Sequence, residues 1–448
     1  MILTGATVVT SLDPVRVDRF DVHVRDGRIV TEAGGARRDC SGCLIVPGNV
    51  CAHTHLYSAL ARGMPYALEP PENFVQILQR VWWRLDRALD EESVRASALV
   101  GGMEALLSGT TTLVDHHASP NTIDGSLDVV ADALAALGVR SVLCYETSDR
   151  DGPERALAGV AENARFVGRV RRDGLPLTRG MIGAHASFTL SDETLAACVD
   201  AARGHGVGIH VHAAEDLADE VDAEALHGAS VASRLARSGA LDDRTLLAHG
   251  VHFDDDEIEL VRAAGASVAH NARSNMNNGI GRARVDALGP RVALGTDGIG
   301  SDMFEESRTA FFRLHDDGAG AGPDWALTRL AEGARFAGRA FDAPGLGTLA
   351  TGAPADLVVL DYAAPAPLRE TSFAGHWIFG LSSRWVRDVM VAGEWVVRDR
   401  RLARVDQQEL VEGACRQADR LWQRLEKVGP HPFEPKGGRR WPSPLVTA

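Results

Sequence analysis

Thr245-Leu-Leu-Ala-His249, Ala266-Ser-Val-Ala-His270 and Arg291-Val-Ala-Leu-Gly-Thr-Asp297 follow one another within a single stretch and share one pattern. Each is a short apolar, β-rich run that ends on a polar side chain able to do chemistry. Between the first two, Asp254 with Glu257 three residues later forms a capping-box signature ahead of Ile258-Glu-Leu-Val-Arg262, so a helix is expected there. Five more such runs precede them: Leu44-Ile-Val-Pro continuing into Val50-Cys-Ala-His53, Thr111-Thr-Leu-Val-Asp115, Arg140-Ser-Val-Leu-Cys-Tyr145, Gly180-Met-Ile-Gly-Ala-His185 and Gly206-Val-Gly-Ile-His-Val-His212. Ser126 is placed to cap a helix ending near Gly138, and Ser191-Asp-Glu193 to start one running to Gly204. Eight strand-then-helix units at the usual spacing of about 30 residues imply an α/β chain whose parallel sheet closes into a (β/α)8 TIM barrel. In that fold the active site lies at the C-terminal ends of the strands, where these polar residues sit.

The chain ends read differently. Residues 2–32 and about 346–400 carry alternating β patterns, such as Asp21-Val-His-Val-Arg25, Asp356-Leu-Val-Val-Leu-Asp361 and Val389-Met-Val-Ala-Gly-Glu-Trp-Val-Val397. Both are expected in one small β-sandwich domain, residues 1–48 and 345–448, interrupted by a barrel spanning 49–344. A length of 448 residues alone suggests about three domains, but a barrel absorbs 250 or more residues of it. An amphipathic helix is expected from Gln407 to Glu426. After it comes a Pro/Gly tail from Pro430 that either packs on a neighbouring subunit or stays mobile. Two long connections, Leu56 to about Asp90 and Gly298 to about Asp324, lie on the catalytic face. They carry Tyr57, Phe74, Trp82, Trp83, Phe304, Phe311 and Phe312, an aromatic set suited to a lid over a flat substrate.

Composition narrows the chemistry. A formal charge of −14 argues against nucleic acid and anionic membrane partners, and no long uncharged apolar run offers a membrane span. The start of the chain has no secretory pattern, so a cytoplasmic protein is expected. Of 47 basic residues only Lys427 and Lys436 are lysine, both in the tail. That excludes Schiff-base chemistry, a phosphate-loop lysine and a carbamylated lysine bridging two metals from the body of the chain. Six scattered cysteines, with one lone Cys40-x-x-Cys43, suit reduced thiols in a reducing compartment.

The sixteen histidines are the remaining reactive resource. His53-Thr-His55 puts two imidazoles on one face of a strand, since side chains alternate with period two. His212, His249 and Asp297 end other runs at the same level. Three neutral imidazoles and a carboxylate suit one divalent metal ion, zinc first and iron second, with water in the open position made acidic enough to supply hydroxide near pH 7. Asp297 could take that water's proton. Glu215, three residues after His212, could stand beside the water without being a ligand, as a proton shuttle to a ring nitrogen. Alone, it would read as an ordinary helix N-terminal glutamate.

Taken together, Pro47-Gly-Asn-Val-Cys-Ala-His-Thr-His55, His212-x-x-Glu215, Leu247-Ala-His249-Gly, His270-x-x-x-Ser274-Asn275 and Leu294-Gly-Thr-Asp297-Gly resemble the amidohydrolase superfamily. The match is to its cytosine deaminase, guanine deaminase and triazine hydrolase branch, in order and over essentially the whole chain. The resemblance implies His53, His55, His212 and Asp297 as metal ligands and Glu215 as proton shuttle. It implies His249 as the residue that orients the attacking hydroxide, and His185 as a substrate contact. Trp82 and Asn275 join the expected substrate wall. That branch commonly reads His-Cys-Pro-x-Ser-Asn where this chain has His270-Asn-Ala-Arg-Ser-Asn275. Arg273 in a pocket wall would favour an anionic or carbonyl-rich substrate; in its other reading it is a surface salt bridge.

The expected function is therefore a mononuclear metal-dependent aminohydrolase that releases ammonia from a small nitrogen heterocycle, purine- or pteridine-like, in a homo-oligomer. The alternatives are ring opening of a cyclic amide or displacement of chloride at the same site, and a non-catalytic metal-binding scaffold.

Overall fold

The computed structural model describes residues 1–437. All eight apolar runs contribute strands, in two parallel sheets. One holds Asn49–Thr54, Thr110–His117, Arg140–Tyr145 and Thr178–Gly180; the other holds Ile182–Ala186, Ile209–Ala213, Leu246–His249, Ser267–His270 and Val292–Leu294. Backbone hydrogen bonds link the sheets at both edges. His53 accepts from the N–H groups of Thr296 (2.8 Å) and Asp297 (3.0 Å), joining the eighth run to the first, while His185 donates to Thr147 (2.8 Å) and Met181 to Leu143 (3.0 Å). The fourth run, read as one strand, is split at Met181: its first part pairs with the third strand and its second with the fifth.

Helices alternate with the strands, and their ends follow local chemistry. Asp254 and Glu257 form the anticipated reciprocal capping box, and Ser191 caps Asp192–His205 through the Thr194 amide. Ser126 does not cap. Gly125, at φ +78°, holds the N-cap position of Ser126–Leu137, which no alternating pattern could show.

Ala52, Val114, Val142, Leu246, Ala269 and Ala293 of the strands form an apolar floor with Met181 and, from the helix Asp324–Ala340, Phe336. The histidine-bearing strand ends stand above it. Gly295 is required where the eighth run meets the first: a Cβ there would lie 2.8 Å from the His53 Cβ and 2.9 Å from its backbone N.

The chain ends build two further sheets. In the seven-stranded one, Leu357–Leu360 pairs antiparallel with Leu44–Pro47, so residues from both ends share one sheet. The four-stranded one comprises Arg28–Val30, Val22–Arg25, Ile2–Thr4 and Arg37–Asp39. Leu3, Val24 and Ile29 of the smaller sheet and Val8, Ile45, Leu357 and Met390 of the larger share one buried cluster. Leu44–Pro47 thus leaves the first run for this assembly, and the parallel strand begins at Asn49. A buried bidentate pair, Arg140 to Asp356 at 2.8 and 3.0 Å, ties the third strand to it.

The last helix, Gln407–Leu425, is followed by a strap. Residues 430–437 of the Pro/Gly tail do not run free but lie against the first long connection of the same chain. His431 donates its backbone N–H to Gln79 (2.9 Å) and packs on Trp83 with ring centroids 5.3 Å apart; Phe433 packs on the same indole at 5.7 Å. Residues 438–448 lie outside the described chain.

Candidate active site

The strand ends converge as expected. His53, His55, His212, His249 and Asp297 are all buried and lie on four different strands or their exits. Their hydrogen bonds fix which nitrogen of each imidazole carries the proton. His55 Nδ1 lies 2.6 Å from the His116 carbonyl and His212 Nδ1 2.8 Å from the His185 carbonyl, so both are N–H donors, and each ring in its neutral form presents Nε2 as a lone pair. Those two Nε2 atoms face each other at 3.1 Å. His53 Nδ1 meets His210 Nε2 at 2.8 Å, leaving its own Nε2 buried without a partner, 3.7 Å from Asp297 Oδ1; His55 Nε2 lies 3.1 Å from that same oxygen.

Lone pairs crowded together around a carboxylate are repulsive unless a proton or a cation sits among them. The donor set, three imidazole nitrogens and one carboxylate oxygen with their outer N–H groups anchored, matches what a divalent ion of the zinc type takes. Four overlapping groups of candidate ligand atoms occur among the described residues. One brings His53, His55 and Asp297 together, one His53, His212 and His249, and one Glu215, His249 and Asp297. The fourth adds His116 and Glu146 to His55 and His212. His116 Nε2 is already committed between two carbonyl oxygens, Ala184 and His210, at 3.1 Å each.

The electrostatics separate the groups. Burial depresses His53 to about 3 and holds His212 well below the usual imidazole range, so both are neutral at pH 7. Burial also acts to lower His55, but its hydrogen bond to Asp297 and that carboxylate's charge outweigh it and raise it to about 9 when no ion is present. Burial, followed by Asp297, Asp216 and Asp219, pushes Glu215 well above the carboxyl range. A carboxyl that prefers to keep its proton, 3.5 Å from His249 Nε2, is placed as an acid.

His249 donates Nδ1–H to Asn275 Oδ1 at 2.8 Å, which leaves its Nε2 as the free lone pair toward Glu215. His249 and Asp297 both adopt positive φ, +75° and +54°. Left-handed backbone at two non-glycine residues is a cost that clusters at functional sites. Ser274 Oγ donates to Asp297 Oδ2 and fixes the carboxylate's second oxygen.

A cavity opens beside these groups, lined by His55, Tyr57, Trp82, Trp83, Glu146, His185, Phe188, His212, Glu215, Asp216 and Asp297 among others. Its free volume is about 40 Å³, room for roughly three waters. The first long connection supplies the aromatic wall as anticipated. It folds into Phe74–Ile77 and Trp83–Ala88, joined by one π-helical segment, Leu78–Trp82, and carries both tryptophans to the cavity. Gly298 makes this possible, because a Cβ there would meet the Trp82 ring at 2.0 Å. The second connection behaves otherwise. Its Phe304 stacks on Trp377 and Phe311 packs on Phe379, away from the cavity.

Two expected substrate contacts are corrected. Arg273 is not in the cavity wall: its Nε donates to buried Glu306 at 2.5 Å, Nη1 to Glu305 at 2.9 Å and Nη2 to the Gly300 carbonyl at 2.7 Å. Held at all three nitrogens, the guanidinium satisfies the buried Glu306 carboxylate and stays out of the cavity wall. Asn275 acts on His249 instead of lining the cavity. Trp82 and His185 do line it.

The sequence profile of the Amidohydrolase family matches residues 44–396. The chain belongs to that family. It is a hydrolase acting on carbon–nitrogen bonds other than peptide bonds. It is 33% identical over 390 residues to a 5'-deoxyadenosine deaminase of Methanopyrus kandleri, covering 84% of this chain and 86% of that protein. It is 32% identical to a 5-methylthioadenosine/S-adenosylhomocysteine deaminase of Haloarcula marismortui, covering 95% and 99%. An adenosine deaminase from Xanthomonas campestris, solved with bound zinc, superposes with a TM-score of 0.82 at 26% identity, covering 94% of this chain and 98% of that one. No helix among the described residues is long and apolar enough to cross a membrane.

Sequence reasoning missed Glu146, His116 and His210. Glu146 directly follows the third run, His116 lies just past the Asp115 that ends the second, and His210 shares a strand face with His212. The rule that the strand ends carry the chemistry, extended by one residue, would have flagged the first two.

Proposed function

We propose that this amidohydrolase is an aminohydrolase that releases ammonia from a small nitrogen heterocycle of purine-like type, using one divalent ion, zinc before iron, held by His53, His55, His212 and Asp297. The observation that carries the reading is the opposed pair of Nε2 lone pairs at 3.1 Å, each imidazole turned by a backbone carbonyl, beside a carboxyl disposed to hold a proton. Such an ion would make water acidic enough to supply hydroxide at neutral pH. Glu215 Oε2 delivers its proton to the ring nitrogen next to the attacked carbon; of the two protons of the attacking water, Asp297 takes one and passes it to the departing amine, and the other returns to Glu215 as the tetrahedral carbon collapses to the carbonyl and ammonia leaves. His249 Nε2, fixed as a lone pair by Asn275, steers the incoming nucleophile and stays neutral because burial opposes its charge. Trp82 and Trp83 offer flat apolar faces to the heterocycle. The relatives' deaminase activities on adenosine-type compounds support this class.

On this reading residues 49–344 form one closed (β/α)8 barrel that carries the whole site. Residues 1–48 and the described part of 345–448, up to 437, form a β-sandwich domain that braces it.

The test is an ammonia-release screen of the zinc-loaded chain against aminopurines, adenosine-type nucleosides, pteridines, pyrimidines and triazines, with Asp297→Ala as blank. Ammonia from purine-type rings with none from the blank is expected. Ring-opened or dechlorinated products without ammonia would overturn it.

A further inference from the structure

Glu146 is a buried carboxylate in the wall of the cavity, and the proposed reaction gives it no role. It sits at the exit of the third strand, and each oxygen has one protein partner. Oε1 accepts from Arg150 Nη1 at 2.8 Å, and Oε2 lies 3.2 Å from His116 Nδ1. The Arg150 charge is shared with Asp86, which accepts from its Nη2 at 2.6 Å, and the guanidinium stacks over Trp83 at 5.6 Å. Glu146 is therefore held in place as an ion-paired carboxylate. A carboxylate offers about four acceptor positions, so each oxygen has one left.

The neighbouring His185 is fixed in the complementary sense. The Thr189 hydroxyl donates its only proton to the Ala186 carbonyl (3.1 Å), so its contact with His185 Nδ1 at 2.6 Å makes Nδ1 the donor. His185 Nε2 is then a lone pair, and it faces Glu146 Oε1 at 3.7 Å. Two acceptors held toward each other at that separation call for a donor lodged beside both, and no arginine or lysine among the described residues lines the cavity to supply one.

We infer that Glu146 and His185 read an N–H edge on the substrate. The ring would carry at least one N–H or second exocyclic amine in addition to the amine that leaves. That describes a diamino- or amino-oxo-purine or the corresponding pteridine. An N9-substituted 6-aminopurine, whose ring positions other than the leaving amine present only lone pairs, would set acceptor against acceptor. Sites built to hydrogen-bond an N–H discriminate strongly against an analogue without it, because their buried polar groups are left unpaired. This inference rests on the aminohydrolase reading and specifies its substrate class.

The experiment compares kcat/KM for ammonia release from 2,6-diaminopurine, guanine and 8-oxoadenine with that from 9-methyladenine and 5'-deoxyadenosine, using zinc-loaded wild type and Glu146→Gln. Wild type is expected to prefer the donor-rich rings by about 100-fold, chiefly in KM. Glu146→Gln, which replaces one acceptor by a donor, is expected to cut that preference to about threefold or less. Zinc content and melting temperature show whether the variant is folded; if it is not, the wild-type ratio decides alone. Equal or better turnover of 9-methyladenine and 5'-deoxyadenosine by wild type would overturn the inference while leaving the aminohydrolase reading intact. Ammonia from none of the rings would instead remove the reading beneath it.

Discussion

Stripping and reloading the metal tests the core of the site without knowledge of the substrate. An ion that binds only the folded chain adds about 2.7 kcal/mol at 100 times its Kd and about 4.1 kcal/mol at 1,000 times. Melting entropy near 2.1 cal/mol/K per residue, taken over 448 residues, is roughly 0.9 kcal/mol/K. Zinc should therefore raise the melting temperature by about 3–5 °C. The protons give a second reading. His53 and His212 are neutral in the ion-free chain, but His55 is raised to about 9 by Asp297 against the effect of burial, so it is charged at pH 7.5. Coordination needs its Nε2 lone pair, and a water on the ion with a pKa of about 7 would ionise as well, so loading at pH 7.5 should release about one to two protons per ion, the His55 share vanishing above pH 9. Differential scanning calorimetry of chelator-treated and reloaded protein gives the first quantity. Titration calorimetry in buffers of unequal ionisation enthalpy gives the second, together with a stoichiometry of one. Equal melting temperatures, two ions per chain or heats independent of buffer would each refute the assignment of His55 and Asp297 to a single-ion site.

Glu215→Gln should keep its zinc, since Glu215 is not among the ligands, and lower kcat by about 10²–10⁴-fold; metal analysis with ammonia release checks both. Asn275→Ala frees the His249 ring and should cost kcat more than KM, with zinc content unchanged. Truncation after Gly429 removes His431 and Phe433 from Trp83; with only about 40 Å³ free beside that wall, KM should rise about tenfold while kcat stays within about threefold. Glu220 is held above the carboxyl range by burial and then by the Glu257 charge. For an acid raised on folding, stability is present below its unfolded pKa and is lost as pH rises through the folded value. Glu220→Gln should accordingly raise the melting temperature at pH 8 and change it little at pH 4, as read by a thermal shift series.

The features legible in the sequence are those set by short-range periodicity. A run such as Leu246–His249 must be a strand because its apolar content needs burial on both faces, and its terminal imidazole must then emerge at the sheet's end. The same logic located His53, His55, His212 and Asp297. The π-helical segment at Leu78–Trp82 was not legible, since its aromatic spacing also fits ordinary α-helix, nor was the split of the fourth strand at Met181. The strap was hidden for a different reason. A Pro/Gly tail has no periodicity, and its position depends on Gln79, whose side-chain amide donates to the Phe433 carbonyl at 2.7 Å from more than three hundred residues away in the chain. Arg273 failed as a ligand group because its partner, Glu306, comes from the following long connection and no local pattern pairs them.

The displacement of Arg273 changes the sign of the charge the substrate meets. With that guanidinium spent on Glu306 and Glu305, the cavity wall presents Glu146, Glu215, Asp216 and Asp297 and, among the described residues, no arginine or lysine. Arg150, behind the wall, is enclosed by Asp86 and Glu146. An anionic substituent entering here would be desolvated among carboxylates with only the ion site as counter-charge, which costs several kcal/mol in a buried setting. A neutral ring with N–H donors pays no such penalty, and a divalent ion among His53, His55, His212 and Asp297 would balance part of the acidic excess. The same carboxylates that raise Glu215 therefore exclude anions and favour the ion.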